Sequence, residues 1–381
     1  MPVQIRKVDT QADFKPYFEF PWVLYQGDPN WTPPLLSMRR EQYDKKKNPA
    51  WEYIDGDFFA AYRDGRIVGT IAAYINQRHN EYNDEEIGWF GAFEVEDDPE
   101  AASALLDTAA EWVRARGFKT IRGPQTFTTH EETGLLVDGF TRPILLMPYN
   151  KPYYEKLVLG ANFHPVMDTY SFHLSRDEVN QTGLLERLER ITKAIMKRNH
   201  VVIRPIDGHN LKGEFALFKE LYNAAWEKNW GFTPMTPKEL DAMVKSLGQF
   251  FDPSLAFFGE VDGEPVGFIM AVPDFNQVLK KVYPKPGTPE AVSLVKALYH
   301  WKLNPIIDWA RVPLMGVKEA YRSKGVDAAL YFHVLDAMLK GRYQHCDSGW
   351  ILSINQNMVS IAKNFGSQIY KTYRYYEKAL E

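Results

Sequence analysis

The chain has 381 residues, which predicts two domains, because single hydrophobic cores rarely grow beyond about 250–300 residues. Its net charge of −4 argues against a general nucleic-acid binder, and a single cysteine, Cys346, rules out an internal disulfide and a Cys-based zinc site. The N-terminus MPVQIRKVDT lacks the apolar core of a signal peptide, and no stretch reaches the roughly 18 apolar residues of a membrane span. We therefore expect a cytoplasmic protein without an integral membrane segment.

In chain order, the first strong pattern is a hairpin, FFAAYRDGRIVGTIAAY at 58–74, which turns at an Asp-Gly pair. A strand at 87–95, a helix at 99–117 ended by a glycine, and a strand at 118–123 follow. The sequence thus predicts a hairpin, strand, helix and strand in its first half.

The same order of elements returns in the second half of the chain. Residues 256–272, AFFGEVDGEPVGFIMAV, align with the first hairpin without gaps and share its Asp-Gly turn. A strand at 311–317, a helix at 326–341 and a strand at 350–355 follow. Although Asp-Gly hairpins are common, the shared order of later elements indicates a duplicated α/β domain with mixed sheets, with expected extents of 1–178 and 179–381.

The stretch from residue 184 to the second hairpin is predicted to be mainly helical. A charged helix, a strand and two further helices are expected at 184–199, 201–206, 215–229 and 237–247. The second half also contains an insertion at about 274–309 that is rich in proline and aromatic residues and has a helical piece. This composition fits a segment that lines a cleft.

A basic turn, Arg-Ser-Lys-Gly, precedes the predicted helix at 326–341. Helix N-termini expose unpaired N–H groups at the positive end of the macrodipole, and a glycine lets a ligand approach the backbone closely. The turn is therefore a candidate anion site, with an ordinary exposed loop as the alternative.

The order of strand, basic glycine turn, long helix, strand, Asn and terminal strand resembles the GNAT acyl-CoA N-acyltransferases. In that family the turn binds the pyrophosphate of acetyl-CoA or a longer acyl-CoA. The resemblance implies that the acyl-CoA is bound by Met315, Gly316, Val317, Arg322, Ser323, Lys324, Gly325, Val326 and Asn355. Asp327 replaces the glycine or alanine with which the family pattern ends, and nothing in the sequence explains it.

Nearly the whole chain further resembles a bacterial tandem-GNAT family. The matching stretches are LYQGDPNWTPPL at 24–35, GPQTFTTHEETGLLVDGF at 123–140 and MPYNKPYY at 147–154. The resemblance implies two tandem GNAT-like domains and transfer of an acyl group to a small-molecule amine. Some members of this group are ceramide synthases, which would imply a long-chain acyl-CoA, a lipid amine acceptor and peripheral contact with the inner membrane face.

The first copy has a different sequence at the position of the phosphate turn. Residues 94–100, EVEDDPE, carry carboxylates and a proline in place of the cations and the glycine. Acidic residues and an early proline favour a helix start, but they repel a pyrophosphate. We expect an acidic helix cap there, and no acyl-CoA bound in this way.

The proton-transfer groups are less evident. The tyrosine that the family often uses corresponds to Ala362, and many relatives have a glutamate where this chain has Ser353. The candidates that replace them are His130, Glu132, Asp138 and Tyr149. Each has an alternative role in turn capping, loop hydrogen bonding or packing. The HEE sequence lacks the second histidine of a zinc motif, so no metal is expected.

The leading hypothesis is an acyl-CoA-dependent N-acyltransferase. Its alternatives are a long-chain enzyme of the ceramide-synthase kind and a non-catalytic double-GNAT protein that binds acyl-CoA or a peptide. The missing tyrosine and Ser353 favour the non-catalytic alternative. The sequence does not predict the acceptor, the acyl length or the oligomeric state.

Charge reversal at the basic turn tests the assignment of the donor site. Arg322→Glu with Lys324→Glu should weaken acyl-CoA binding by about 100-fold or more, because two charge-assisted contacts are lost. Asp97→Asn with Asp98→Asn should leave the affinity unchanged. Isothermal titration calorimetry with acyl-CoA measures both, and the opposite pattern would place the donor in the first copy.

Overall fold

The computed structural model describes residues 2–226, 229–248 and 251–380. Its first half contains these strands and helices: β1 Gln4–Lys7, α1 Gln11–Leu24, α2 Leu36–Tyr43, β2 Ile54–Arg63, β3 Arg66–Asn76, α3 Gln77–Asn83, β4 Ile87–Val95, α4 Pro99–Arg114, β5 Thr120–Gly123, β6 Leu135–Asp138, α5 Tyr154–Gly160 and β7 His164–Ser175.

The second half continues with α6 Arg176–Thr182, α7 Leu184–Asn199, β8 Val201–Pro205, α8 Leu211–Trp226, α9 Pro237–Gly248, β9 Ala256–Val261, β10 Glu264–Pro273, α10 Asn276–Val282, α11 Glu290–Leu298, β11 Trp309–Val317, α12 Val326–Lys340, β12 His345–Leu352, α13 Gln356–Asn364 and β13 Gln368–Ala379. The predicted helix at 215–229 corresponds to α8, and residues 227–228 lie outside the described part of the chain.

Both predicted Asp-Gly hairpins are confirmed. Asp64 and Gly65 have φ angles of 54° and 76°, and Asp262 and Gly263 have 52° and 84°. Two consecutive residues with positive φ form the turn whose twist matches that of the flanking strands. The hairpins β2–β3 and β9–β10 follow from this local chemistry.

One predicted strand is displaced. The sequence HCDSGWIL at 345–352 forms β12, whereas the prediction placed the strand at 350–355. Asn355 instead caps α13, because its side-chain oxygen accepts the Met358 N–H at 3.2 Å. The sequence pattern did not predict the start of β12, because Asp347, Ser348 and Gly349 are residue types typical of loops. In the structure they are buried within the strand.

The chain forms two compact units, and each unit is built from separate stretches of the sequence. Unit 1 contains the residues up to Thr169, then Asn276–Pro305, and the residues from Lys371 onward. Unit 2 contains Tyr170–Phe275 and Ile306–Tyr370. The boundary at 178–179 refers to the duplicated folding pattern and stays a prediction.

Within unit 1 the strands lie in the order β1-β2-β3-β4-β5-β13, and β6 also pairs with β13. The pairs are antiparallel except β4 with β5. Helix α4 covers this sheet with an alanine- and leucine-rich face, and its buried residues are Ala101, Ala102, Leu105, Leu106, Ala109, Ala110, Trp112 and Val113. In the β3–β4 register, Gly69 lies opposite Val95.

Unit 2 repeats this arrangement with the order β8-β9-β10-β11-β12, in which β11 and β12 are parallel. Helix α12 lies against β9, and an added Cβ at Gly259 would come within 2.7 Å of the Val326 side chain. In the β10–β11 register, Gly267 lies opposite Val317. Val317 of unit 2 is therefore the counterpart of Val95 of unit 1.

The acidic cap predicted for α4 is confirmed. Asp98 is the N-cap residue, and its carboxylate accepts the Glu100 and Ala101 N–H groups at 3.1 and 3.2 Å. It also accepts a hydrogen bond from the Arg63 guanidinium at 2.7 Å. Asp97 lies beside it and is exposed.

Replacement of the cap should lower the stability. Asp98→Ala removes the cap and the ion pair, and should decrease the free energy of unfolding by about 1–2 kcal/mol. Asp97→Ala is the matched control and should stay within about 0.5 kcal/mol of the wild type. Urea denaturation of both variants at pH 7 measures the difference. Equal free energies of unfolding for the two variants would show that the Asp98 cap does not stabilise α4.

Candidate functional site

In unit 2 the parallel strands β11 and β12 pair only over their first residues. The register joins Trp309–Val312 with His345–Ser348, whereas β11 continues to Val317 and β12 to Leu352. The two strands therefore part after Val312, and the end of β11 borders a gap on the β12 side.

The backbone at the end of β11 faces this gap. The Lys318 N–H donates to the Val266 carbonyl at 2.8 Å, so Val317 and Gly267 form a non-hydrogen-bonded pair of the antiparallel ladder. The N–H and C=O of Val317 consequently point away from β10. They are turned toward the side from which β12 has separated.

A buried ion pair lies near the point where the strands part. Arg311 and Asp347 are opposite each other in the register, are 2% and 0% exposed, and approach to 3.4 Å. The Tyr370 hydroxyl donates to Asp347 at 2.7 Å, and Arg311 donates to the Gly349 carbonyl at 3.1 Å. The sequence analysis did not predict this pair. A charged residue within each of two apolar strand sequences, Arg311 in β11 and Asp347 in β12, was the signal that could have found it.

The basic turn follows β11 directly. Residues Glu319–Lys324, which include Ser323, form a short 3₁₀ helix, and Gly325 with a φ of 74° leads into α12 at Val326. A Cβ at Gly325 would lie 2.5 Å from the Ile195 side chain. Both the left-handed backbone and the close approach of α7 require glycine at this position.

Arg322 fastens the turn to the protein. Its side chain donates to the Val317 carbonyl at 3.2 Å and to the Ala225 carbonyl at 2.8 Å. The Lys324 ammonium lies 5.1 Å from the Tyr321 ring centroid. The Arg322 contacts join the turn to the end of β11 and to α8, so part of the donor capacity of the arginine is used within the protein.

The structure explains Asp327, which the sequence pattern did not. Its carboxylate accepts the Ala328 N–H at 2.8 Å in the first turn of α12, where the helix dipole favours a negative charge. Burial raises the pKa of this carboxyl group. Asp327 therefore occupies one of the helix N–H groups that the predicted anion site would have used.

The equivalent backbone position in unit 1 is closed. The Glu96 N–H donates to the Val68 carbonyl at 3.0 Å, so Val95 also turns its N–H and C=O away from the neighbouring strand. The Val95 N–H donates to the Tyr154 hydroxyl at 2.9 Å, and the Tyr153 hydroxyl donates to the Val95 carbonyl at 2.7 Å. Two adjacent tyrosines thus take both groups that face the gap in the first copy.

Unit 1 contains a carboxyl group that is half-buried and titrates near neutral pH. The Tyr25 and Tyr154 hydroxyls both donate to Glu94 Oε2 at 2.7 Å. Burial raises the pKa of Glu94 to about 7, against the opposing effect of these two hydrogen bonds. Glu94 is neither a free surface carboxylate nor part of the acidic cap.

The 123–140 segment adds two carboxyl groups to unit 1. Glu132 forms a two-point ion pair with Arg39, with N–O distances of 2.8 and 3.1 Å. Burial raises the pKa of Glu131 to about 8, and its carboxylate accepts a hydrogen bond from the Asn48 amide at 3.3 Å. The charge of Glu132 also raises the pKa of Glu94, whereas that of Arg39 lowers it, so these groups form one electrostatic cluster. We call Arg39, Glu94, Glu131 and Glu132 the carboxylate cluster.

The predicted proton-transfer residues all lie in unit 1, and only some are close together. Glu132 belongs to the carboxylate cluster, and His130 lies two residues before it on the same loop. The backbone N–H of His130 donates to the Thr128 hydroxyl at 3.3 Å. The Tyr149 hydroxyl donates to Asp28 at 3.1 Å, and burial together with this carboxylate raises the tyrosine pKa to about 12. Asp138 is exposed at the end of β6.

Two members of the carboxylate cluster were not predicted as site residues. Glu94 was assigned to the acidic helix start, although it belongs to β4, where buried Phe93 and Val95 flank it. Glu131 lies in the polar loop that drew attention to its neighbours. Within the described residues, no three His, Cys, Asp or Glu side chains form a set of possible metal ligands.

The duplicated architecture matches solved structures of tandem proteins. A tandem GNAT protein from the clavulanic acid biosynthesis pathway superposes with a TM-score of 0.55 and 11% identity, covering 100% of this chain and 99% of that one. A GCN5-related N-acetyltransferase from Sphaerobacter thermophilus gives a TM-score of 0.51 and 12% identity, covering 100% and 96%. The protein therefore has the tandem GNAT fold, which confirms the predicted fold class.

Two relatives extend over nearly the whole chain. The bacterial ceramide synthase of Caulobacter vibrioides (strain NA1000 / CB15N) is 34% identical over 382 residues, which cover 98% of this chain and 96% of that protein. Protein YghO of Escherichia coli (strain K12) is 30% identical over 381 residues, covering 99% and 95%. No family profile matches the chain. The chain belongs to the tandem-GNAT family that contains these two proteins, as the sequence resemblance implied.

The raised pKa of Glu94 makes a prediction about stability and pH. A carboxyl group whose pKa is raised on folding destabilises the folded state increasingly as the pH rises from the unfolded value of 4.5 to about 7. Glu94→Gln should therefore stabilise the protein by about 1–3 kcal/mol at pH 8 and have little effect below the unfolded pKa. Urea unfolding between pH 4 and pH 8 measures this dependence. Glu96→Gln is the matched control, and a pH-independent difference for Glu94→Gln would contradict the shift.

Proposed function

We propose that the protein is an acyl-CoA-dependent N-acyltransferase whose donor is bound by unit 2. The supporting observation is the contrast between Val317 and Val95 at equivalent positions of the two copies. Tyr153 and Tyr154 take the backbone groups of Val95. At Val317 the backbone N–H is turned toward the gap between β11 and β12, where an extended ligand pairs as another strand would.

An acyl-CoA has the chemistry that this gap and turn would recognise. Its pantetheine arm contains amide groups that match a strand edge, and its pyrophosphate suits the N-terminus of α12. In the proposal, Met315, Gly316 and Val317 supply backbone contacts to the arm. Ser323, Lys324, Gly325 and Val326 surround the pyrophosphate, and Arg322 holds the turn against β11.

Asn355 has a more indirect part in this proposal. Its side chain caps α13 by accepting the Met358 N–H. We therefore propose that it fixes the start of α13, beside the end of β12, and so contributes to the donor site through the backbone.

The reaction joins the acceptor nitrogen to the thioester carbonyl carbon and breaks the carbon–sulfur bond. The ammonium form of the acceptor must first lose a proton, and the departing thiolate gains one. A general base works best when its pKa is near the operating pH, which favours Glu94 and Glu131 with pKa values of about 7 and 8. We propose Glu94 as the first candidate base to test, because its pKa is raised and the Tyr25 and Tyr154 hydroxyls hold its carboxyl group in place.

The candidates from the sequence analysis stay in the proposal with narrower roles. Glu132, held by Arg39, sets the charge around Glu94, and His130 on the same loop is a second proton acceptor. Tyr149 is a candidate proton donor to the thiolate. Asp138, which is exposed, is the weakest of the four candidates.

The relative from Caulobacter vibrioides favours a particular acceptor. Its name describes a ceramide synthase, and the likeness extends over 98% of this chain. We propose accordingly that a long-chain acyl-CoA is the donor and that a long-chain amino alcohol is the acceptor. Acetyl transfer to a small amine and binding without turnover are the competing functions.

Thiol release measures all three possibilities. The purified protein is incubated with acetyl-CoA or palmitoyl-CoA and with either a long-chain amino alcohol or short amines. We expect release that depends on the amino alcohol and is at least about tenfold faster with palmitoyl-CoA, because each buried methylene contributes about 0.8 kcal/mol. A preference for acetyl-CoA would support the competing acetyltransferase, and the absence of thiol release with every amine would leave only binding.

Two variants separate the donor site from the base. Arg322→Glu with Lys324→Glu should abolish release by removing acyl-CoA binding. Glu94→Gln should retain acyl-CoA binding but reduce kcat by about 10²–10⁴-fold, whereas Glu96→Gln should not. Full activity of Glu94→Gln would overturn the assignment of the base and leave the donor site intact.

A further inference from the structure

The helix α11 of unit 1 has an apolar outer face. It continues through a π-helical turn, Tyr299–Leu303, and Val295 and Leu303 are 70% and 77% exposed. The other large apolar residues exposed on this segment are Val292, Leu294, Leu298 and Tyr299. Surface helices of globular proteins normally turn their charged residues outward. This helix exposes large apolar residues as well as its lysines.

The inner face of the same helix consists of small residues. Ser293 and Ala297, one helical turn apart, are buried against the protein. At about 100° per residue, Val295, Leu298 and Tyr299 lie on the opposite side of the helix. The apolar face is therefore not the face that attaches the helix to unit 1.

The segment 276–305 is firmly attached to unit 1. The Trp22 indole donates to the Pro284 carbonyl at 2.7 Å, and the Lys280 ammonium donates to the Trp31 carbonyl at 2.7 Å. The Ser37 N–H donates to the Glu290 carboxylate at 3.0 Å. These contacts hold α11 on the surface with its apolar side outward.

The charge of this segment is opposite to that of the whole chain. Residues 276–305 contain five lysines and a single acidic residue, Glu290, which gives a net charge of +4 against −4 for the protein. Glu290 is bonded to Ser37, and Lys296 and Lys302 are exposed beside the apolar face. The Lys302 ammonium lies 3.9 Å from the Trp301 ring centroid.

We propose that α11 and its π-helical turn form a docking surface for an anionic lipid bilayer. Apolar side chains flanked by lysines and aromatic residues are typical of helices that lie in the interface plane, and anionic lipids attract such basic segments. The segment has 9 α-helical and 5 π-helical residues, too few to span a bilayer. No helix within the described residues is long and apolar enough to do so. The inference does not depend on the proposed acyl transfer.

Vesicle co-sedimentation with the full-length protein tests this surface. We expect binding to vesicles of phosphatidylglycerol and phosphatidylethanolamine, and at least about tenfold weaker binding to phosphatidylcholine alone. Raising the salt from 0.05 to 0.5 M, that is about a threefold shorter Debye length, should weaken the binding. Leu298→Gln with Leu303→Gln should reduce the partition coefficient by about tenfold or more.

Matched controls distinguish this surface from general stickiness. Val202→Gln alters a residue that is 54% exposed, as is Leu298, and should bind vesicles like the wild type. Lys296→Gln with Lys302→Gln should weaken binding to anionic vesicles, whereas Lys212→Gln with Lys363→Gln should not. Equal loss in test and control variants would overturn the proposal. So would a wild-type dimer in analytical ultracentrifugation that the Leu298→Gln and Leu303→Gln protein fails to form, because a second copy would then cover the face.

Discussion

The functional arrangement depends on the requirement that every backbone N–H and C=O of a strand finds a partner. The pairing of β11 with β12 ends at Val312 and Ser348, so the last residues of β11 turn polar groups toward a gap. The first copy meets the requirement internally, with two tyrosine hydroxyls on Val95. In the second copy Arg322 takes the Val317 carbonyl, and the gap remains bordered by backbone. The two copies thus differ at the same strand end: side chains cover it in unit 1, whereas the Val317 N–H of unit 2 faces the gap.

The carboxyl groups of the carboxylate cluster differ in whether a positive charge offsets their loss of solvation. Glu132 faces a guanidinium in a two-point ion pair, whereas Glu94 and Glu131 rely mainly on neutral donors. Neutral donors offset desolvation only partly, so the pKa values of these two groups rise toward neutrality. Carboxyl groups whose pKa is raised by burial beside specific charged partners mark this cluster as a candidate site.

Local chemistry made much of the fold predictable. The Asp-Gly turns, the helix α4 with its cap, and α7 follow from signals within a few residues. Glu94 was missed because its environment comes from Tyr25 and Tyr154, which are 69 and 60 positions away. Periodicity also could not show which side of α11 faces the protein, since its small residues and not its large ones lie inward. Asp327 looked like a defect until its hydrogen bond to the Ala328 N–H was known.

Because unit 1 is built from separate stretches of the sequence, its folding depends on the order in which the chain is synthesised. The strand β13 pairs with both β5 and β6, with Tyr376 opposite Gly123 and Tyr373 opposite Leu136. Synthesis delivers the N-terminal residues first, and domains usually fold as they emerge. Here β13 completes the sheet of unit 1, and it begins only at Gln368, close to the end of unit 2 at Tyr370. Unit 1 therefore begins to be made before unit 2 but is completed after it, and a stop codon before position 368 removes a strand from its sheet.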